Sequence, residues 1–434
     1  MRVVLTNCVS LNGGDAAILI SISSLLRAEF GPNIEITVLD SQAGAARLYY
    51  PDLDFRQMPH YPQKRTGPGI LGRLSRRLAR AREEVALVCL RIHPGLWGIV
   101  LGTTERAAFR AYRRADLVIS TGGTYLVEHY DLRPRIFALR LALAAGKRPI
   151  FFTQSLGPFL KPYNRRALAP IFNASPLVLL RDRKSAAHLT DIGVDAGRLH
   201  VSSDVAFALG GKNAMESAAM HAAPPGRIAV SVRYWPHFAQ EPAGTRMEIY
   251  MRGIAKAVEV AARRYGCQVA FISTCQGIRE YWMDDSKVAD QIASLLPIDL
   301  ASKVSVDHGF HHPIQLLDRL SSFDLVISTR MHMAILALSA GVPVLPIAYE
   351  FKTDELFSER FQMSEWVTGI DTMTEDSLAD LLPRFLEALP SIRARLFAAV
   401  GAERRRALGS ASLLRRCLED PMAASERRAE LSAG

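Results

Sequence analysis

The sequence predicts an α/β protein made of two doubly wound halves, and three observations carry that expectation. The first is a stretch starting at Asp324 that reads DLVISTRMHMAILALSAGVPVLPIAY. An uncharged run follows the aspartate, helix formers fill 330–340, Gly341 ends them, and Val342, Val344 and Pro346 begin a second strand. That is a strand–helix–strand unit, the building block of parallel sheets. The second is the hexamer DLVIST, present at 116–121 and again at 324–329. Each copy reads as a buried strand that runs into a loop, Gly122-Gly123-Thr124 in one and Arg330-Met331-His332 in the other. Buried parallel strands share composition, but the matched strand-to-loop placement points to two similar halves. The third is a composition break, since 210–226 collect glycine, alanine and proline and read as a linker.

The elements justify themselves in order. Residues 2–6 form a strand, Asn12, Gly13, Gly14 and Asp15 a tight turn, and Ile18, Leu19, Ile22, Leu25 and Leu26 one face of a helix. Gly31 and Pro32 end that helix, and 34–39 is the next strand. The turn is not GxGxxG, and without a third glycine and a partner acid it makes a weak case for a dinucleotide. Asp15 has two readings: an N-cap, or a carboxylate that faces the crevice and handles a substrate hydroxyl. Glycines at 122 and 123 would let backbone approach a ligand closely. Strands at 149–153, 177–180 and 200–202 are followed by Gln154-Ser155, Arg181-Asp182 and Ser203-Asp204.

The second half restarts with a strand at 228–232 that ends at Arg233, then a helix at 245–265, a strand at 268–273, a helix at 284–296 and a strand at 304–306. His308, His311 and His312 follow, on a loop where neighbouring histidines point apart and no metal-ligand helix motif accompanies them. A helix at 352–361 and a long basic helical segment at 375–420 close the chain. The expected division is a domain over 1–209, a linker over 210–226, a domain over 227–370 and a helical arm with its tail over 371–434.

Composition narrows the partners. With 434 residues, 49% hydrophobic and 22% charged, this is an ordinary globular chain long enough for two domains. A net charge of +10 favours anionic ligands, acidic glycans or anionic membrane surfaces. Nucleic acid is not expected, since no zinc-finger spacing or RNP-like aromatic motif is present. The five cysteines show no CxxC pair and an odd count, so they read as reduced thiols of a cytoplasmic protein. The first apolar run, 3–5, is too short for a signal peptide, and the longest, 85–101, contains Arg91, His93 and Pro94 and falls short of a transmembrane helix. Just ahead of it stand Arg73, Arg76, Arg77, Arg80 and Arg82. The segment reads as a solvated helix followed by a buried one, or as an interfacial segment drawn to anionic headgroups.

Ligands of such sheets bind beyond the carboxyl ends of strands, where Arg330 and His332 fall. A cation at a helix N-terminus is on the wrong end of the macrodipole. It fits there if it shares an anion with the free N–H groups of the helix. The plain alternative is an exposed arginine and a partly buried histidine at a strand end.

Together the motifs resemble the polysaccharide pyruvyl transferase family. The likeness rests on Asn12-Gly-Gly-Asp15-Ala-Ala-Ile18, Ser120-Thr-Gly-Gly123, Gln154-Ser-Leu-Gly-Pro-Phe159, Arg181-Asp182, Asp204-Val-Ala-Phe207, Ser231-Val-Arg233, Ser328-Thr-Arg-Met-His332 and Gly341-Val-Pro-Val-Leu345, in family order. The resemblance implies two Rossmann-like domains facing a central crevice, as in GT-B glycosyltransferases. It implies transfer of the pyruvyl group of phosphoenolpyruvate to a sugar as a ketal, with phosphoenolpyruvate the donor substrate; no cofactor or metal is expected, because arginines can do the charge work. The acceptor would be a sugar or lipid-linked oligosaccharide, reached by a cytoplasmic protein that touches the inner face of the membrane. Arg330, Met331 and His332 match the family's Arg-x-His donor motif, and Arg233 its arginine on the first strand of the second half.

Residue chemistry agrees with that donor. Two arginines can each clamp an oxyanion of phosphoenolpyruvate bidentately, and a histidine can protonate the methylene carbon or the departing phosphate. Asp15 or Asp204 could orient the sugar hydroxyl, and Gly14, Gly122, Gly123 and Gln154 are the further substrate-binding candidates. Two alternatives stay open: a GT-B glycosyltransferase that uses a nucleotide sugar, and a catalytically silent glycan-binding relative.

Overall fold

A computed structural model describes residues 1–59, 70–211, 225–238 and 243–419. The chain forms two compact units, one from Met1–Ser10, Ile18–Asp204 and the chain from Leu408, the other from Leu11–Ala17 and Val205–Ala407. Unit 1 carries strands β1 (Arg2–Cys8), β2 (Glu35–Asp40), β3 (Asp54–Gln57), β4 (Leu117–Ser120), β5 (Gly123–Leu126), β6 (Ile150–Leu156), β7 (Val178–Leu180) and β8 (Leu199–Val201). They form an eight-stranded sheet in the order β3-β2-β1-β4-β6-β7-β8, with β5 also paired to β6. Unit 2 carries β9 (Arg227–Ser231), β10 (Gln268–Phe271), β11 (Val304–Val306), β12 (Leu325–Ser328), β13 (Val344–Ala348) and β14 (Thr368–Gly369). Their order is β11-β10-β9-β12-β13-β14, and every pairing is parallel. That is the doubly wound 3-2-1-4-5-6 order, whose ligand crevice opens where the order reverses, between first and fourth strands.

The DLVIST repeat is a structural repeat in detail. In each unit the hexamer supplies the fourth strand, buried throughout, and pairs with the first. Leu117 is in register with Val3 and Leu325 with Ile228. The leading aspartates play matching roles. Asp116 accepts from the Arg2 amide at 2.7 Å and Asp324 from the Arg227 amide at 2.8 Å. A carboxylate there ties off the amino edge of the first strand, which otherwise leaves N–H groups unpaired. Each unit also has a tyrosine bonded to a threonine, Tyr112 Oη to Thr6 Oγ1 within β1 and Tyr250 Oη to Thr329 Oγ1 just past β12, each at 2.8 Å.

Three boundaries differ from the expected ones. Residues Leu11–Ala17 belong to unit 2, although the helix they open, Gly13–Phe30, continues in unit 1. The division falls at Val205 rather than at 210, because Phe207 packs on Phe361 with ring centroids 6.3 Å apart and Arg404 Nε donates to Gly210 O at 2.7 Å. The rest of the expected linker, 212–224, lies outside the described residues. Nor is the helical arm a separate body. The helix Ser377–Glu419 serves unit 2 as far as Ala407, where Glu403 pairs with Arg360 at 2.8 Å, and unit 1 from Leu408, where Ser410 Oγ meets Ser202 Oγ at 3.0 Å. Among the described residues no helix is long and apolar enough to cross a membrane.

Candidate functional site

The carboxyl ends of β9 and β12 lie side by side at the order reversal of unit 2, and both carry an arginine. Tyr250 locks them together. Its buried hydroxyl accepts from the Arg233 amide at 3.2 Å while bonding Thr329 Oγ1, so one side chain spans both strand ends. Burial first, and then the nearby charge of Asp285, push that phenol up to about 12 against its two hydrogen bonds, so it remains a neutral bridge.

The two arginines are held differently. Arg330 sits at the N-cap position of the helix Met331–Ser339, its backbone extended at φ −80° and ψ 116°. Its Nε donates to Asp285 Oδ2 at 2.8 Å and its Nη2 to Asp285 Oδ1 at 2.6 Å. The expectation that Arg330 clamps a donor with its whole fork is therefore corrected. A guanidinium 6% exposed needs an internal counter-ion, and Asp285, 2% exposed, takes the fork and leaves Nη1 for a ligand. Arg233 forms no ion pair with any described carboxylate. Its guanidinium lies 4.1 Å from the Tyr349 ring centroid and 4.9 Å from that of Trp235, and Nε donates to Tyr234 O at 3.4 Å. Aromatic faces stabilise a cation without using up its donors, so this buried fork stays able to grip an anion.

His332 occupies the first turn of the Met331–Ser339 helix, half-buried, and the N-cap residue Arg330 makes no side-chain capping bond to that turn. Met331 itself is 4% exposed, so its side chain belongs to the core and only its backbone N–H can face a ligand. Gly14 lies under the imidazole: a Cβ there would stand 2.3 Å from His332 Nδ1, and one on Gly13 would stand 2.1 Å from Thr274 O. Absence of side chains at these two glycines is what lets the Asn12–Asp15 turn pack so closely within unit 2. Asn12, not Asp15, caps the helix, accepting at Oδ1 from the Gly14 amide at 3.0 Å and from the Asp15 amide at 3.4 Å. Asp15 is half-buried in the first turn and charges the surroundings of Cys275 and Tyr281, within unit 2 rather than on the expected acceptor side.

Cys275 marks the convergence of the site. Burial pushes its thiol up to about 11, Arg330 and Arg233 pull it down, and Asp285 and Asp15 push it up. All four charged groups thus act on one sulfur, which stays a neutral thiol at neutral pH. Sequence reasoning missed Cys275, Asp285, Tyr250, Trp235 and Tyr349. One signal was available, since a buried arginine demands an acid and the pair Asp284-Asp285 precedes a helix. A second was the aromatic residues placed just after strand ends, Tyr234-Trp235 after β9 and Tyr349 after β13.

Unit 1 uses its own motif residues internally. Gln154 is fully buried, and its amide donates to Thr121 O and Tyr125 Oη, each at 2.6 Å, so it fastens β4 to β6 instead of reaching a substrate. Asp204 is ion-paired with Arg181, whose Nε also donates to Ser155 Oγ at 2.7 Å. Both charged side chains are 2–3% exposed, which corrects the expectation that Asp204 orients a sugar hydroxyl. A Cβ on Gly122 would meet Ile18 at 2.8 Å and Phe152 O at 3.0 Å, and Gly123 has φ 112° at the start of β5, so packing and backbone explain both.

The loop histidines each have a different partner. His308 Nε2 lies 3.0 Å from Asp290, His311 Nε2 3.0 Å from Asp307, and His312 Nδ1 accepts from the Ile314 amide. Among the described residues, no three His, Cys, Asp or Glu side chains stand together as metal ligands.

Comparison with known proteins adds three findings. A family model described as polysaccharide pyruvyl transferase matches residues 12–350. The chain is 26% identical over 300 residues to the amylovoran biosynthesis protein AmsJ of Erwinia amylovora, covering 67% of this chain and 70% of that protein. Among solved structures it resembles Anabaena Alr3699/HepE in complex with UDP-glucose, with a TM-score of 0.56 and 14% identity over 100% of this chain and 99% of that one. It also resembles the UDP-GlcNAc 2-epimerase of Neisseria meningitidis bound to UDP-GlcNAc, with a TM-score of 0.55 and 11% identity over 96% and 100%. At such identities these two establish the fold, which is GT-B-like, and nothing more.

Proposed function

We propose that this chain, which belongs to the polysaccharide pyruvyl transferase family, moves the pyruvyl group of phosphoenolpyruvate onto two hydroxyls of a sugar in a cell-surface glycan or its lipid-linked precursor. The coarser role, a transferase of polysaccharide synthesis, follows from the family and from the relative named for amylovoran biosynthesis. The observation that carries the donor is Arg233, a buried guanidinium that pairs with no carboxylate among the described residues, at the order reversal of unit 2.

Phosphoenolpyruvate suits that arrangement. Arg233 holds one of its two anionic groups. The uncapped turn at Met331 and Arg330 Nη1 meet the other, where helix N–H groups and a fixed cation stabilise developing charge. His332, on that same turn, gives a proton. The methylene carbon becomes a methyl group, and two sugar oxygens bond to C2. The C2–O bond to phosphate breaks, and the two hydroxyl protons balance the one gained by carbon and the one carried off with phosphate. Asp15 is the carboxylate of this cluster that can orient a hydroxyl.

The test is mass spectrometry of candidate glycans and lipid-linked oligosaccharides after incubation with phosphoenolpyruvate. The expected product is heavier by one pyruvate less one water, with phosphate released in equal amount and the rate unchanged by EDTA. The competing donor is a nucleotide sugar, because the similar folds carry UDP-glucose and UDP-GlcNAc. UDP released from such a sugar with no need for phosphoenolpyruvate would overturn the proposal, and rescue of an EDTA-treated sample by one divalent ion would overturn its metal-free form.

Arg233 gives a sharper check. Arg233→Lys keeps the charge but loses the planar fork and its fit between two rings. Phosphoenolpyruvate affinity measured by calorimetry should fall by about 1.5–3 kcal/mol, roughly 10- to 150-fold. Unchanged affinity would remove Arg233 from the donor site.

A further inference from the structure

The helix Ile70–Ile92 packs one face into unit 1, where Ala86, Leu87 and Leu90 are buried. It also shows a second apolar face to solvent. Leu78, Val85 and Ile92 are 63%, 61% and 78% exposed. They recur every seven residues, so at about 100° per residue they fall in one stripe. Val88 borders the stripe, and Ile99, just beyond the helix, is exposed as well. Such apolar surface has a cost in water that a partner must relieve.

Charge says which partner. The helix holds six arginines and two glutamates. Arg77, Arg82 and Arg91 are exposed, while Glu84 is engaged by Arg140 through two bonds of 2.6 and 2.9 Å. A second copy of the chain would bring arginines against arginines. A surface that is apolar below and anionic above accepts both the stripe and its basic flanks. The same helix contributes Glu83 and Glu84 to a recess of about 580 Å³ in unit 1, lined also by Tyr130, Tyr163 and Glu128.

We propose that the helix Ile70–Ile92 docks the protein on an anionic lipid surface, with Leu78, Val85 and Ile92 entering the acyl boundary and Arg77, Arg82 and Arg91 meeting headgroup phosphates. The docking does not depend on the reaction catalysed, so it can fail while the transferase reading stands.

The experiment is flotation of the full chain with vesicles of phosphatidylcholine alone, or of phosphatidylcholine and phosphatidylglycerol in equal parts. Binding is expected only to the anionic vesicles. Each of Arg77→Gln, Arg82→Gln and Arg91→Gln should weaken it about fivefold, the equivalent of ~1 kcal/mol per basic residue at a charged surface. Combined Leu78→Ser, Val85→Ser and Ile92→Ser should abolish it with helical circular dichroism unchanged, since these side chains are exposed. Three outcomes would overturn the proposal: no binding to anionic vesicles, binding that ignores both lipid charge and the serine changes, or a dimer in sedimentation that the serine changes dissociate without any lipid affinity.

Discussion

His332→Gln should lower turnover by ~10²–10⁴, the range typical of losing a positioned general acid, while donor affinity changes far less. The geometry separates the two effects. In the proposed reading, the donor is held by Arg233 and by backbone N–H groups of the turn at Met331, neither of which the substitution touches. The imidazole is backed from below by Gly14, where a Cβ would come within 2.3 Å of Nδ1, so the backbone of that turn limits where the ring can sit. Glutamine keeps a polar side chain of similar reach but cannot serve as the acid. The check is steady-state kinetics of both proteins, with donor affinity measured separately. A variant with near-parental turnover would make His332 a binding residue and move the search for the acid elsewhere. Gly14→Ala offers a second view, because it pushes on the ring while leaving the histidine chemically intact. It should reduce turnover while leaving donor affinity largely unchanged.

What could be read from sequence, and what could not, divides along a physical line. The DLVIST copies were legible as matching strands because a parallel strand buried on both faces must be an unbroken apolar run, and its leading aspartate and trailing threonine repeat with it. The placement of Arg330 and His332 just past a strand was legible because chain order alone puts them there. The partner of Arg330 was not. Asp285 lies 45 residues upstream, after a segment with no hydrophobic period, and only the fold brings it to the guanidinium. The same holds for Arg233, whose surroundings come from the loops after β9 and β13. Gln154 and Asp204 misled for the opposite reason. A polar residue after a strand reads as a ligand, but both are enclosed: the Gln154 amide nitrogen donates to the protein and Asp204 is ion-paired with Arg181. Asp15 was placed correctly at a helix start, yet the cap is Asn12, because its side chain reaches the amides of Gly14 and Asp15 from the position before the helix.

Asp285→Ala is expected to cost about 3–5 kcal/mol of stability, the usual penalty for removing one partner of a buried ion pair. Burial alone would lower the pKa of Arg330, but the charge of Asp285 outweighs it and raises that pKa above its ordinary value. Without the carboxylate the guanidinium would remain enclosed and still charged, with nothing described nearby to take its two donors. Asp285 also accepts from Ser273 Oγ, and its amide donates to Cys275 O at 2.8 Å, so the loop that carries Cys275 would loosen with it. Against a typical total of 5–15 kcal/mol, such a loss should be plain in thermal melts followed by circular dichroism. The informative control removes both charges together. Asp285→Leu with Arg330→Met leaves no orphan ion and should melt well above Asp285→Ala, since an apolar pair can replace a buried salt bridge at little cost. It should nonetheless be inactive, because Arg330 Nη1 and the positive field at the Met331 turn are gone. If the double variant is both stable and active, Arg330 only fills the interior, and the anion is held by Arg233 and the helix N-terminus alone. If Asp285→Ala melts with the parent, the pair is not what fixes this strand end, and the lock must be Tyr250.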